Sequence, residues 1–219
     1  MPFFEPMPPP PPPPEVQEST WAPPLWDRPS EADLGVAVGL TVLLARTEVY
    51  ALALDDVHAH RNGFGFSLVV RRNPMVPEDP TSHGHPMWMY DRGARIGLEF
   101  SDGTKVTSES PAWGGRGGRA SRMVTLSLAA TPGTTVGPWG PVDADGIPVQ
   151  PVLIPRGGGG GGREGFTFGY WCYPLPPAGP ITVHADWPDE DIDEVSVSID
   201  ADLIREAASR TTTLWEHHG

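Results

Sequence analysis

A second cysteine is the first thing this chain lacks. Its 219 residues hold only Cys172, so no intramolecular disulfide can form and packing alone has to hold the fold. A lone cysteine fits a reducing compartment. Positive charge is scarce as well: 15 Lys and Arg stand against 28 Asp and Glu, a formal net charge of −13. Such a surface repels phosphate backbones and anionic headgroups, so neither nucleic acid nor a membrane is an expected partner. Long apolar runs are missing too. "LGVAVGLTVLLA" (34–45) falls short of the ~20 residues that span a bilayer. The opening "MPFFEPMPPPPPPPE" has neither a basic region nor an apolar core. No signal peptide is therefore expected, and the chain reads as cytoplasmic.

Proline and glycine are in excess, at 28 and 26 residues, which points to loop-rich segments beside a folded part. Pro8 to Pro14 is an unbroken run that should adopt an extended polyproline II rod. Residues 1–30 read as a disordered proline-rich arm carrying Trp21, Leu25 and Trp26. Two functional alternatives stand beside that reading. The arm could be a ligand for a proline-binding groove, or a strap whose aromatics dock on the domain's own surface.

From Leu34 the pattern changes. Residues 34–45 read as a buried strand and 48–60 as a second. In 63–72, Phe64, Phe66, Leu68 and Val70 alternate with smaller or polar residues, the period of a half-buried strand. Asn62-Gly63 marks a hairpin between these two. Alternation returns at Ile96–Phe100, Val124–Leu128, Phe166–Cys172, Ile181–Trp187 and Val195–Ile199. The segment 147–155 could be an edge strand, where prolines are tolerated. Residues 73–93, 111–121 and 131–146 read as long loops. Over 200–216 the period becomes helical. Leu203, Ile204, Ala207, Ala208, Thr211, Leu214 and Trp215 share a stripe, with Asp200 as N-cap. The expected fold is mainly β: an antiparallel β-sandwich over 31–199, immunoglobulin-like or similar, with one C-terminal amphipathic helix over 200–219 packed on it.

Candidate chemistry is thin. The six glycines Gly157–Gly162 lead into Arg163, Glu164 and a strand. They lack the Lys-Ser/Thr and the following helix of a phosphate loop. The run reads as a mobile strand-to-strand loop flanked by Arg156 and Arg163, both candidate binding residues. His58 and His60 sit at period two, so an extended backbone would put both rings on one face, as a metal site needs. The third ligand would be His83, His85, His184 or a carboxylate. Surface histidines near turns explain the same pattern. The acidic run "DWPDEDIDE" (186–194) reads as a solvated turn. Cys172 reads as a buried, inert thiol. No cofactor is expected. Eight tryptophans are many, and Trp88, Trp113 and Trp139 fall in loops, where exposed indoles mark contact surfaces.

The segments "ARTEVYALALDDVHAHRNGFGFSLVVR", "GLEFSDGTKV", "GGGGGGREGFTFGYWCYPLPPAGPITVHADWP" and "IDADLIREAASRTTTLW" together resemble a family of uncharacterised actinobacterial proteins. Its members share a proline-rich start, a Gly-rich run before an aromatic strand ending in "PLPP", a "WP" and a terminal helix. The resemblance implies a single β domain in the cytoplasm and no activity. The expected function is a non-enzymatic interaction module that binds a protein partner through loop aromatics or the proline-rich arm. The alternative is a metal- or small-ligand-binding β protein, possible as an enzyme, using His58 and His60.

Overall fold

Period-two alternation becomes sheet where the sequence carries it. In the computed structural model, which describes residues 24–77, 94–108, 135–137, 140–162 and 164–215, the strands are numbered in chain order. They are β1 (Asp33–Leu34), β2 (Val36–Ala37), β3 (Val42–Arg46), β4 (Tyr50–His60), β5 (Gly63–Arg72), β6 (Arg95–Glu99) and β7 (Lys105–Thr107). Then follow β8 (Thr135–Gly137), β9 (Gly140–Val142), β10 (Val152–Gly162), β11 (Gly165–Tyr173), β12 (Pro180–Trp187), β13 (Ile192–Asp200) and β14 (Thr212–Thr213). One α-helix, α1, spans Ala201–Ser209.

Two antiparallel sheets carry the fold. The larger has the order β10-β11-β5-β4-β2, with β3 also on β4; the smaller has the order β13-β12-β6-β7. Their inner faces enclose one core. The larger sheet supplies Leu52, Leu54, Phe64, Phe66, Leu68, Val70, Tyr170 and Cys172, and the smaller supplies Ile96, Leu98, Val106, Ile181, Val183 and Ala185. This is a β-sandwich, as the alternation predicts. Its sheets also approach at their edges, β13 against β3 and β7 against β10. The helix closes the side beside β2 and β4, burying Ala201, Ile204, Ala207 and Ala208. Asp200 caps it, its carboxylate accepting the Asp202 N–H at 2.9 Å. No helix among the described residues is long and apolar enough to cross a membrane.

One irregularity sets where β4 points its side chains. The β4–β5 register slips between Asp55 and His58, and Asp56 takes φ 54°. Ahead of this bulge the even residues Leu52 and Leu54 are buried; after it the odd residues Val57 and Ala59 are. His58 and His60 therefore face outward.

The structure departs from the sequence expectations in five places. Residues 34–45 are not one strand but three short pieces, and β1 pairs with β14 rather than with either sheet. The glycine run is not a mobile loop. It continues β10, pairing Gly158 with Phe168 and Gly159 with Thr167. Ladder hydrogen bonds to β11 offset the ordering entropy, and Gly157 at φ 86° permits the bulge where the register shifts. The helix stops at Ser209 instead of 216, because the β-branched Thr211, Thr212 and Thr213 follow. There Arg61 donates to Thr211 Oγ1 at 3.1 Å and to Thr213 Oγ1 at 2.7 Å, leaving Leu214 and Trp215 exposed. Within the expected loop 131–146, β8 and β9 pair. Finally, residues 24–30, read first as part of a disordered arm, lie on the outer face of the larger sheet with Trp26 docked there, as in the strap alternative. The expected strand at 124–128 lies outside the described residues.

Candidate functional site

Two outward faces collect chemistry. The first begins with β10 and β11, where Val152 pairs with Tyr173 and Ile154 with Trp171. Alternation turns all four outward, and Trp26 covers them, forming a second apolar cluster separate from the main core. Trp171 is 1% exposed and Trp26 8%, so the indoles make the seal. Both indole N–H groups are used. Trp171 Nε1 donates to the Trp26 carbonyl at 2.9 Å, and Trp26 Nε1 donates to the Gly146 carbonyl at 3.0 Å. Gly63 makes room for this arrangement: a Cβ there would meet the Trp171 ring at 2.7 Å and also collide with the Cys172 carbonyl.

The strap that carries Trp26 is pinned by side chains, not by a strand ladder. Asp27 N–H closes a turn onto the Pro24 carbonyl at 3.0 Å. Asn62 Nδ2 donates to the carbonyls of Leu25 and Arg28, at 2.5 and 3.0 Å. Arg156, expected as a binding residue flanking a mobile loop, faces Asp27 across 3.8 Å. Burial chiefly, and the neighbouring Arg28, pull its guanidinium pKa down, and the Asp27 carboxylate opposes them. His60 stacks edge-on against Trp171, with ring centroids 5.6 Å apart, over a gap that Gly35 leaves for it. Burial chiefly, and the neighbouring His58, push its pKa below 6.5.

The second face lies on β6, β7, β12 and β13. Gly97 presents no side chain, and the groove over it has a volume of about 310 Å³. Cross-strand register sets its walls, pairing Arg95 with Asp186, Gly97 with His184 and Glu99 with Lys105. Arg95 donates to both carboxylate oxygens of Asp186, with Nε 2.7 Å from Oδ1. Lys105 Nζ lies 3.0 Å from Glu99 Oε2 and, with His184, holds the Glu99 carboxyl below its usual range. His184 stands between two carboxylates, Glu194 at 3.3 Å and Glu99 at 3.5 Å. Arg95 with Asp186 and Lys105 with Glu99 thus set opposite charges against one another at the two ends of the groove.

The histidine pair shares a face as period two requires. His58 Nδ1 lies 3.3 Å from Asp56, and His60 is packed on Trp171. Among the described residues no group of three His, Cys, Asp or Glu side chains is placed to hold an ion. His83 and His85 lie outside the described residues, as do Trp88, Trp113, Trp139 and Arg163. The acidic run 186–194 does not stay together: Asp186 pairs with Arg95, Glu194 faces His184, and Pro188–Glu190 forms a 3₁₀ turn. Cys172 is fully buried and burial pushes its thiol pKa far up, so it is inert. Sequence reasoning missed the groove because its residues come from four strands. The one local signal was the outward alternation of Thr182, His184 and Asp186. No protein-family model, no curated protein and no solved structure matches this chain.

Proposed function

We propose that the protein is a non-enzymatic β-sandwich module that binds a protein partner through its proline-rich N-terminal arm, with the loop tryptophans Trp88, Trp113 and Trp139 as further contact residues. One observation supports this reading above the others: Trp26 is buried on Trp171, so the body grips the base of the arm at Pro24–Ser30. In this reading the Pro8–Pro14 run is the contact sequence and the anchored segment at Pro24–Ser30 joins it to the body. The lone buried Cys172 suits a cytoplasmic setting. The test is affinity capture from native lysate with two baits, the full chain and a full-length variant whose Pro8–Pro14 run is replaced by Gly and Ser. A partner held by the full chain alone supports the arm, and one held by both supports the loops. Capture by neither overturns the reading.

A second reading, small-ligand binding, is favoured by the groove over Gly97. It moves the site from His58 and His60 to His184. Its test is a ligand-library thermal-shift screen, in which hits should disappear in His184→Ala.

A further inference from the structure

The contact between strap and sheet is chemically specific and incompletely satisfied. Among the described residues, four buried side-chain polar atoms have no hydrogen-bond partner, and three belong to this contact or its border: Arg28 Nε, Asn62 Oδ1 and His60 Nδ1. A buried polar atom without a partner destabilises the arrangement that buries it. The ion pair is loose as well, with Arg156 at 3.8 Å from Asp27 and Arg28 at 3.9 Å. No strand ladder ties the strap to β10 or β11. The receiving side is nonetheless fully built. It offers an apolar slot between Val152, Ile154 and Tyr173, a donor at Trp171 Nε1 aimed at a backbone carbonyl, an acceptor at the Gly146 carbonyl, and a cation at Arg156.

We propose that this face of β10 and β11 is a peptide-recognition socket for a tryptophan followed by a carboxylate, presented in a turn by a partner protein. Residues 24–30 are its occupant in cis. The indole fills the slot and donates to the Gly146 carbonyl, its own residue's carbonyl accepts from Trp171, and the carboxylate meets Arg156. A partner segment that brings its carboxylate closer, and leaves fewer polar atoms unpaired, displaces the strap. This goes beyond the arm-based reading, because the recognising surface is the sheet face.

The experiment uses fluorescence anisotropy with a labelled peptide of sequence PLWDRPSE, matching residues 24–31. The proteins are the purified full chain and its Trp26→Ala variant. The variant should bind saturably at one site. The unmodified chain should bind about tenfold more weakly or worse, since its own strap leaves only a fraction of sockets open. Replacing the peptide's tryptophan by alanine should abolish binding, and adding Arg156→Ala to the variant should weaken it severalfold. If the folded variant ignores the peptide, or binds it equally well without the indole, the socket is overturned. If Trp26→Ala does not fold, Asp27→Asn loosens the strap instead. It should bind the peptide more tightly than the unmodified chain, and no gain overturns the proposal. A concentration-dependent dimer that the peptide dissolves would assign the socket to a second copy and overturn the partner assignment. Because the probe is a purified peptide, this test can fail while lysate capture succeeds, and the reverse.

Discussion

On β10 and β11 the outward residues are Val152, Ile154, Trp171 and Tyr173, and a strap of the same chain lies over them. On β6 and β12 they are Arg95, Glu99, His184 and Asp186, and no segment among the described residues lies over the groove they line. Both faces arise from the same alternation, with the inner residues of each sheet buried in one core. The difference shows how a sandwich decides what to cover. An apolar outward patch of this size has to be sealed by chain or by partner. A charged one neutralises itself sideways, strand to strand.

The sharpest way to break that comparison is to remove the apolar side. Trp171→Ala should lower unfolding stability by about 3–5 kcal/mol, measured by urea titration, because the ring is buried on both sides by strap and sheet. A loss no greater than that of an ordinary surface substitution would mean the strap is ornamental. The charged side should be far more tolerant. Asp186→Asn removes the forked bond from Arg95, a half-exposed partner. It should lower stability by about 1 kcal/mol, less at high salt. A larger loss would show that the groove, and not the socket, holds the sandwich together.

A finer comparison uses pH. His60 borders the socket and its folded pKa lies below 6.5, so the unfolded chain takes up a proton that the folded chain resists. Its contribution is complete above about pH 6.5 and declines as pH falls from there toward the folded pKa. The difference between the stability–pH curves of the unmodified chain and His60→Gln should be flat above that value and slope below it. A difference that stays flat throughout would place the imidazole in solvent rather than against Trp171.

Much of the sandwich could be read from alternation, since Phe64 to Val70 and Ile181 to Trp187 each bury every second residue in one core. The N-cap at Asp200 and the buried face of Ile204, Ala207 and Ala208 were equally legible. What escaped was structure imposed by neighbours. Gly157–Gly162 has no strand preference of its own, and only the β11 ladder makes it one. Trp26 lies among breakers that read first as tail and only in the alternative as a docking strap, and its partner, 145 residues away, could not be named from the sequence. The helix end was written in the three threonines, but the apolar Leu214 and Trp215 beyond them extended the stripe. The groove is the same case, for no single strand contains enough of it to be recognised.

The bulge at Asp55–Asp56 makes β4 a line read in two frames. Leu52 and Leu54 belong to the first, Val57 and Ala59 to the second, and the spare residue between them is the shift that keeps both legible. Deleting that one residue would leave the composition of the strand almost untouched. It would also remove the need for the bulge: Leu52, Leu54, Val57 and Ala59 would then alternate without interruption, and all four would still face the core. The damaging change is the opposite one, keeping both residues while straightening the strand, which would turn His58 and His60 inward in place of Val57 and Ala59.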